Sequence, residues 1–248
     1  MTPPPTFVVV VGGDGPVTRP DDLPAEAVVV AADGGLHLAT ELGLVAHHVV
    51  GDLDSVDADA LADARCAGAM VHRHPADKDA TDGELALDLV VELVGPTPTP
   101  RPRLLLLGRG GGRVDHLLAD VAALAAPRLA GLDVEARLGA ATVTVVVAGR
   151  ARRITGTPHE QVSLLPVHGR ARGVTTTGLR WALTDADLVP GTTRALSNEL
   201  VGAEAEVRVG EGTVVVVQPG TTAHTIAPRT TAYDPTPIDP ADPPTAPA

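Results

Sequence analysis

Val49-Val50-Gly51-Asp52-Leu53-Asp54-Ser55 is the stretch on which the reading of the chain turns. An apolar run over residues 47–50 stops at a glycine, and two carboxylates follow at spacing i, i+2, then a hydroxyl. A short buried strand that ends in this way puts Asp52 and Asp54 on a loop just past its carboxyl end. Residues two apart in extended chain can point the same way, so both carboxylates can converge on one hard cation. The same residue types also make an ordinary solvated Asx turn. The neighbouring stretches decide between the two.

Those neighbours repeat the pattern. Residues 7–11 and 27–32 are apolar, β-branched runs that end at Gly12-Gly13-Asp14-Gly15 and Asp33-Gly34-Gly35. A helical pattern follows the second, with Leu36, Ala39 and Leu42 on one side and Gly43 as its stop. Further strands are expected over 70–74, 104–107 and 133–138, and helices over 57–68, 81–94 and 114–126. A Pro/Thr linker occupies 95–102. Strands alternating with helices at this spacing mean βαβ units: an α/β fold with a mostly parallel sheet covered by helices on both faces. Ligands bind such sheets at the carboxyl ends of the strands. Asp33, the Asp52/Asp54 pair, residues 77–82 and residues 109–116 all fall there.

From about residue 142 the period changes. Residues 142–148, 161–166, 205–209 and 213–218 read as strands, with Gly, Pro and Thr turns and no helix between them. This predicts a smaller antiparallel all-β domain, sandwich- or barrel-like. The expected organisation is an α/β domain over 1–140, a β domain over 141–227 and a Pro-rich disordered tail over 228–248.

Composition narrows the classes. The chain has 248 residues and a formal charge of -12, against non-specific binding to nucleic acid or anionic membrane. A nucleotide ligand stays open, because a bound divalent metal inverts the local sign. The single cysteine, Cys66, excludes an internal disulfide and is expected to be a buried thiol. No signal peptide or membrane-length apolar run is read, so a soluble cytoplasmic protein is expected.

Two clusters carry chemistry beyond turn formation. In Lys78-Asp79-Ala80-Thr81-Asp82-Gly83-Glu84, Thr81 and Glu84 have capping-box spacing. Lys78 beside a helix N-terminus suits a phosphate, and Asp82 in the first turn can reach a metal held by Asp52 and Asp54. The glycine-rich turn Gly108-Arg109-Gly110-Gly111-Gly112-Arg113-Val114-Asp115-His116 completes neither a P-loop nor G-x-G-x-x-G. Its glycines still allow close approach of a phosphate, and Arg113 offers a bidentate fork. His72 and His74 alternate, but no third ligand is spaced for zinc, and the carboxylate-rich surroundings favour magnesium. Trp181 is either a core residue or the one large platform for a flat heterocycle.

Taken in order, Asp33-Gly34-Gly35, Gly51-Asp52-Leu53-Asp54-Ser55, Lys78-Asp79-Ala80-Thr81-Asp82, Gly111-Gly112-Arg113-Val114-Asp115-His116, Gly178-Leu179-Arg180-Trp181 and Ser197-Asn198 resemble the thiamine pyrophosphokinase (thiamine diphosphokinase) family. The resemblance implies transfer of a pyrophosphoryl group from ATP to thiamine, giving thiamine diphosphate and AMP. It implies a homodimer with clefts between subunits. It places magnesium on Asp52, Asp54 and Asp82, with Asp33 near. Asp33, Gly34, Lys78, Asp79, Thr81, Gly112, Arg113 and His116 would face nucleotide and phosphates. Arg113 and Asp115 would act in the reaction, with Asp115 or His116 as candidate base. Trp181 would stack on thiamine, with Ser197 and Asn198 in its pocket. The rival readings are a diphosphokinase for another hydroxymethyl heterocycle, such as a pterin, and a non-catalytic nucleotide- or thiamine-binding regulator.

Overall fold

A computed structural model describes residues 4–96 and 100–220 of the chain. Part of the expected 95–102 linker and the whole expected tail lie outside the described residues. The first half alternates as read: β1 (Thr6–Val10), β2 (Val28–Ala32), α1 (Gly35–Glu41), β3 (His48–Gly51), α2 (Ala58–Cys66), β4 (Met70–Arg73), α3 (Asp82–Val94), β5 (Arg103–Gly108), α4 (Val114–Leu124) and β6 (Asp133–Leu138). Strands alone follow: β7 (Ala141–Val147), β8 (Arg150–Thr155), β9 (Gln161–Thr177), β10 (Ala186–Leu188), β11 (Asn198–Glu199), β12 (Glu204–Val209) and β13 (Glu211–Gln218).

β4-β3-β2-β1-β5-β6 run parallel, with β1 in the middle. The chain moves outward from β1 to β4, then crosses back through α3 to place β5 on the other side of β1. That reversal opens a crevice beyond the carboxyl ends of β1 and β5. Right-handed crossovers in opposite directions put helices on opposite faces. α3 and α4 cover one face, where Val9, Val30, Val50 and Leu106 meet Leu87 and Val90. α1 and α2 cover the other, through Leu38 and Ala39 against Val8 and Val10, and Leu61 beside Val49. Phe7 is the one aromatic residue in these clusters. Stability therefore comes from many Val, Leu and Ala side chains, each large one contributing roughly 1.5–3 kcal/mol when buried.

β6 turns back on β7 antiparallel, and the sheet continues through β13, β9, β12 and β8. The second apolar cluster, with Leu164, Val174, Leu188 and Val207, lies within these strands. β9 does not stop at Pro166. Positive-φ glycines at 169 and 173 bend it, so its first part pairs with β13 and its last with β12.

Cys66 is exposed, a correction to the buried thiol expected. α2 packs through Leu61, with Ala60 and Ala64 beside it, and Cys66 closes the helix outside that face. Among the described residues, no helix is long and apolar enough to cross a membrane.

Candidate functional site

The crevice is a cleft of about 760 Å³, within the range of small-molecule sites. Every element that reaches the carboxyl edge contributes to it: Gly12 to Asp14 after β1, Asp33 and Gly34 after β2, Asp52 and Asp54 after β3, Lys78 and Ala80 to Gly83 at the start of α3, and Gly110 to Arg113 after β5.

Three carboxylates meet there. Asp33, Asp52 and Asp82 each offer an oxygen, and the three atoms lie within 4.8 Å of one another. Gly51 makes this approach possible. Its φ of 147° is disfavoured for L side chains, and a Cβ there would stand 2.9 Å from Asp82 Oδ1 and 3.1 Å from Asp33 Cβ. Asp33 itself has φ 45° and Leu53 has φ 67°. Left-handed backbone at a leucine costs about 1–2 kcal/mol, here held by burial of its side chain.

Leu53 also sets how the sequence pair is arranged. Because the chain turns at that residue, the Asp54 N–H donates to Asp52 Oδ1 at 3.3 Å, and Asp54 Oδ1 accepts from Ser55 Oγ at 2.9 Å. The Asx turn is thus real, yet both carboxylates still line the cleft. The third carboxylate within 4.8 Å comes from Asp33, not from Asp54.

Lys78 holds the cluster together. Its ammonium donates to Asp52 Oδ2 at 2.9 Å and lies 3.1 Å from Asp82 Oδ1. The hydrogen bond from Lys78 holds the Asp52 carboxyl below its usual range. Burial pulls the Lys78 ammonium down, but Asp52 and Asp82 outweigh it, and the net direction is up. One Asp33 oxygen is buried without a hydrogen-bond donor, and the buried Asp82 Oδ1 has only the Lys78 ammonium beside it. Such atoms are costly unless a cation or donor meets them.

The half of the capping box that the structure forms is Thr81 Oγ1 accepting from the Glu84 N–H at 3.1 Å. Glu84 instead turns its carboxylate to Arg128, at 3.2 Å. The glycine turn closes against the first loop: Asp14 and Gly111 form a bridge, and a Cβ on Gly111 would lie 2.3 Å from the Asp14 carbonyl oxygen. Arg113 and Asp115 clasp each other through two hydrogen bonds of 3.2 and 2.5 Å, both side chains exposed. That clasp draws the Asp115 carboxyl down to about 2.

Of the sequence candidates, Asp33, Gly34, Asp52, Asp54, Lys78, Thr81, Asp82, Gly112, Arg113 and His116 line the cleft. Asp79 and Asp115 do not, and neither do Trp181, Ser197 and Asn198. Asn198 is buried, with its side-chain oxygen accepting from the Trp181 and Glu199 N–H groups and its amide donating to the Trp181 carbonyl. Trp181 is 54% exposed rather than core, with the Arg180 guanidinium 4.9 Å from its ring centroid. Two acidic lining residues were not among the sequence candidates. Asp14 stands in a turn, and Asp120 lies in an Ala- and Leu-rich helix. Only their position opposite other loops marks them.

Comparison with known proteins agrees with this fold. The thiamin pyrophosphokinase catalytic domain model matches residues 22–135, and the thiamin pyrophosphokinase vitamin B1 binding domain model matches residues 153–214. A curated thiamine pyrophosphokinase from Bacillus subtilis is 22% identical over 189 residues, 76% of this chain and 86% of its own. The crystal structure of thiamine pyrophosphokinase from Bacillus subtilis shares the fold, with TM-score 0.71, 22% identity, and coverage of 87% of this chain and 99% of that one. A structure titled thiamin pyrophosphokinase from Geobacillus thermodenitrificans gives TM-score 0.68 and 28% identity, covering 88% and 99%. The Candida albicans thiamin pyrophosphokinase shares the fold at 14% identity, with TM-score 0.69 over 86% and 88%. Both halves of one enzyme are matched, in order and over more than half of the chain, and the chain belongs to the thiamin pyrophosphokinase family.

Proposed function

We propose that the chain transfers the diphosphoryl group of ATP to the hydroxyl of thiamine, releasing AMP and thiamine diphosphate. The observation that carries this reading is the meeting of Asp33, Asp52 and Asp82 with Lys78 and the glycine turn in one cleft. The vitamin B1 binding match over 153–214 supports thiamine as the acceptor.

The donor set fits magnesium: hard carboxylate oxygens, one of them, on Asp33, buried without a hydrogen-bond donor. Asp52, Asp54 and Asp82 would hold the ion, joined by Asp33. When bound, magnesium neutralises and orients the phosphates. The chain's own groups do the rest. Lys78 brings a mobile positive charge to the cleft, on a stem long enough to leave the carboxylates for a phosphate oxygen. The first turn of α3 presents backbone N–H groups to an anion, and Gly112 lets phosphate approach the main chain. Arg113, held only by an exposed partner, can move onto the transferring group. The acceptor oxygen attacks the β-phosphorus in line, the bond from that phosphorus to the α–β bridging oxygen breaks, and AMP leaves with the electron pair. Such a transfer rests on positioning and charge neutralisation.

Trp181 and Asn198 do not line the cleft of their own chain. A homodimer in which the Trp181 loop of one protomer faces the carboxylate cleft of its partner would unite acceptor and donor sites.

The test is AMP and thiamine diphosphate release from ATP and magnesium, with and without thiamine. Equal amounts of both products, only with thiamine, is the expected result. ATP consumption without thiamine would point to a hydrolase. Transfer to a pterin but not to thiamine would identify the other diphosphokinase. Tight thiamine or nucleotide binding without turnover would identify a regulator.

A further inference from the structure

We infer that Asp120 is the general base of this transfer, taking the proton of the acceptor hydroxyl as its oxygen attacks. The inference rests on the reaction proposed above and adds the one role that reading left without a residue.

Asp120 lies on α4, one helical turn beyond His116, and lines the same cleft as the carboxylate cluster. Its Oδ1 faces the first turn of α3: a Cβ built on Gly83 would come within 3.3 Å of it and 3.4 Å of Val11 Cγ1. The carboxylate therefore stands at the seam of α3 and α4, beside the backbone donors expected to hold phosphate. It is half-buried, and among the described residues it has neither an ion-pair nor a side-chain hydrogen-bond partner. Burial pushes its carboxyl up, opposed by the charge of His116. A base needs reach and a raised proton affinity together.

The other acids nearby are engaged by a partner, gathered in the cluster or exposed. Asp115 is exposed, clasped by Arg113 and drawn down to about 2. Asp33, Asp52 and Asp82 form the cluster, with Lys78 against two of them. Asp54 accepts from Ser55, and Asp14 is an exposed turn residue. Arg113 and Lys78 are cations that line the cleft, His116 lines it too, and Glu84 on α3 is turned to Arg128. The step balances within the substrates and this side chain. The hydroxyl O–H bond breaks, its proton goes to an Asp120 oxygen, the new P–O bond forms, and AMP leaves with the bridging oxygen.

The experiment compares wild type, Asp120→Asn and Asp120→Glu in the full chain. It follows thiamine diphosphate formation across pH, melting temperature, and Mn2+ binding. Asp120→Asn should lower kcat roughly 10²–10⁴-fold and remove the acid limb of the kcat profile. Its Mn2+ affinity should stay unchanged. Its melting temperature near neutral pH should rise, because an ionised carboxylate with raised proton affinity burdens the folded state above that value. Asp120→Glu should keep an acid limb, displaced from the wild-type position. Asn activity within about threefold of wild type, or a retained limb, would overturn the inference. So would a loss of Mn2+ affinity, which would make Asp120 a metal ligand. If the amide variant does not fold, an unmoved limb in Asp120→Glu overturns it. Wild type that makes no thiamine diphosphate removes the underlying reaction and this role with it, whereas an active wild type beside an active Asp120→Asn sinks the base alone.

Discussion

The carboxylate cleft and the Trp181 loop are built on opposite plans. The cleft gathers short pieces from β1, β2, β3, α3 and β5, brought together only because the strands are parallel and end at one edge. The Trp181 loop is local. One buried amide, Asn198, ties both backbone groups of Trp181 and leaves the ring to solvent. Charge convergence makes the first region a place for chemistry. Exposure makes the second a place for contact. On the proposed function, catalysis and acceptor recognition can then fail separately.

Substitutions should separate them. The largest effect is expected from Asp82→Asn, which removes one charge of the cluster and leaves Lys78 a single strong partner. Thiamine diphosphate formation should fall by at least roughly 10³-fold, the scale of losing a transition-state electrostatic contact. Mn2+ affinity should fall with it while the far-UV spectrum stays native. Near-normal turnover in a folded Asp82→Asn protein would sink the cluster assignment. Next comes Asn198→Ala. Loss of a buried side chain with three hydrogen bonds should cost about 1–3 kcal/mol in urea unfolding, and KM for thiamine should rise. Mn2+ affinity should not change, and if it does the two regions are coupled. Trp181→Ala should be gentler on the fold because the ring is exposed. A rise in KM for thiamine of roughly tenfold, with KM for ATP unaltered, is the scale of one lost aromatic contact. An unchanged KM for thiamine would remove Trp181 from acceptor binding.

Legibility in the sequence divides along related lines. Apolar runs that stop at Gly or Asp announced β1, β2, β3 and β5, and topology alone then put Asp33, Asp52 and Asp82 at one edge. The exact convergence was not legible, because it depends on left-handed backbone at Asp33 and Leu53 and on the room left by Gly51. Asp120 was hidden for another reason: nothing in a helix repeat tells which face will look into a cleft. β8 escaped because it has almost no apolar alternation. It is an edge strand, and Arg152 pairs with Asp133 and Glu135 at 3.0 and 2.6 Å while Arg153 pairs with Glu204 at 3.2 Å. Charge on an edge strand protects it from pairing with other chains, at the expense of the pattern that reveals strands. For Trp181 the sequence left core and platform both open, and the exposed ring stands outside the core.

The smallest expected effect tests whether acid reaches the cleft before the loop. His48 is buried on β3, three residues before Gly51, and its Nδ1 lies 3.0 Å from His72 Nε2. Burial pulls the His48 imidazole below 6.5, helped by His72 and His47. A base whose folded value lies below its unfolded one binds fewer protons in the folded state. Its stability contribution is therefore complete above 6.5 and is lost as pH falls from there through the folded value. Between about pH 7.5 and 5.5, where ordinary carboxylates stay ionised, the wild-type melting temperature should drop by a few degrees, the scale of 1 kcal/mol or less. His48→Gln, which can still bond to His72, should flatten that slope. Protection factors against hydrogen exchange should fall at Val49 to Gly51 over the same interval and stay constant at Asn198 and Glu199. Equal slopes in wild type and His48→Gln would clear His48 of the effect. Equal acid sensitivity at both segments would mean that cleft and loop unfold as one unit, and that the division between them is one of chemistry alone.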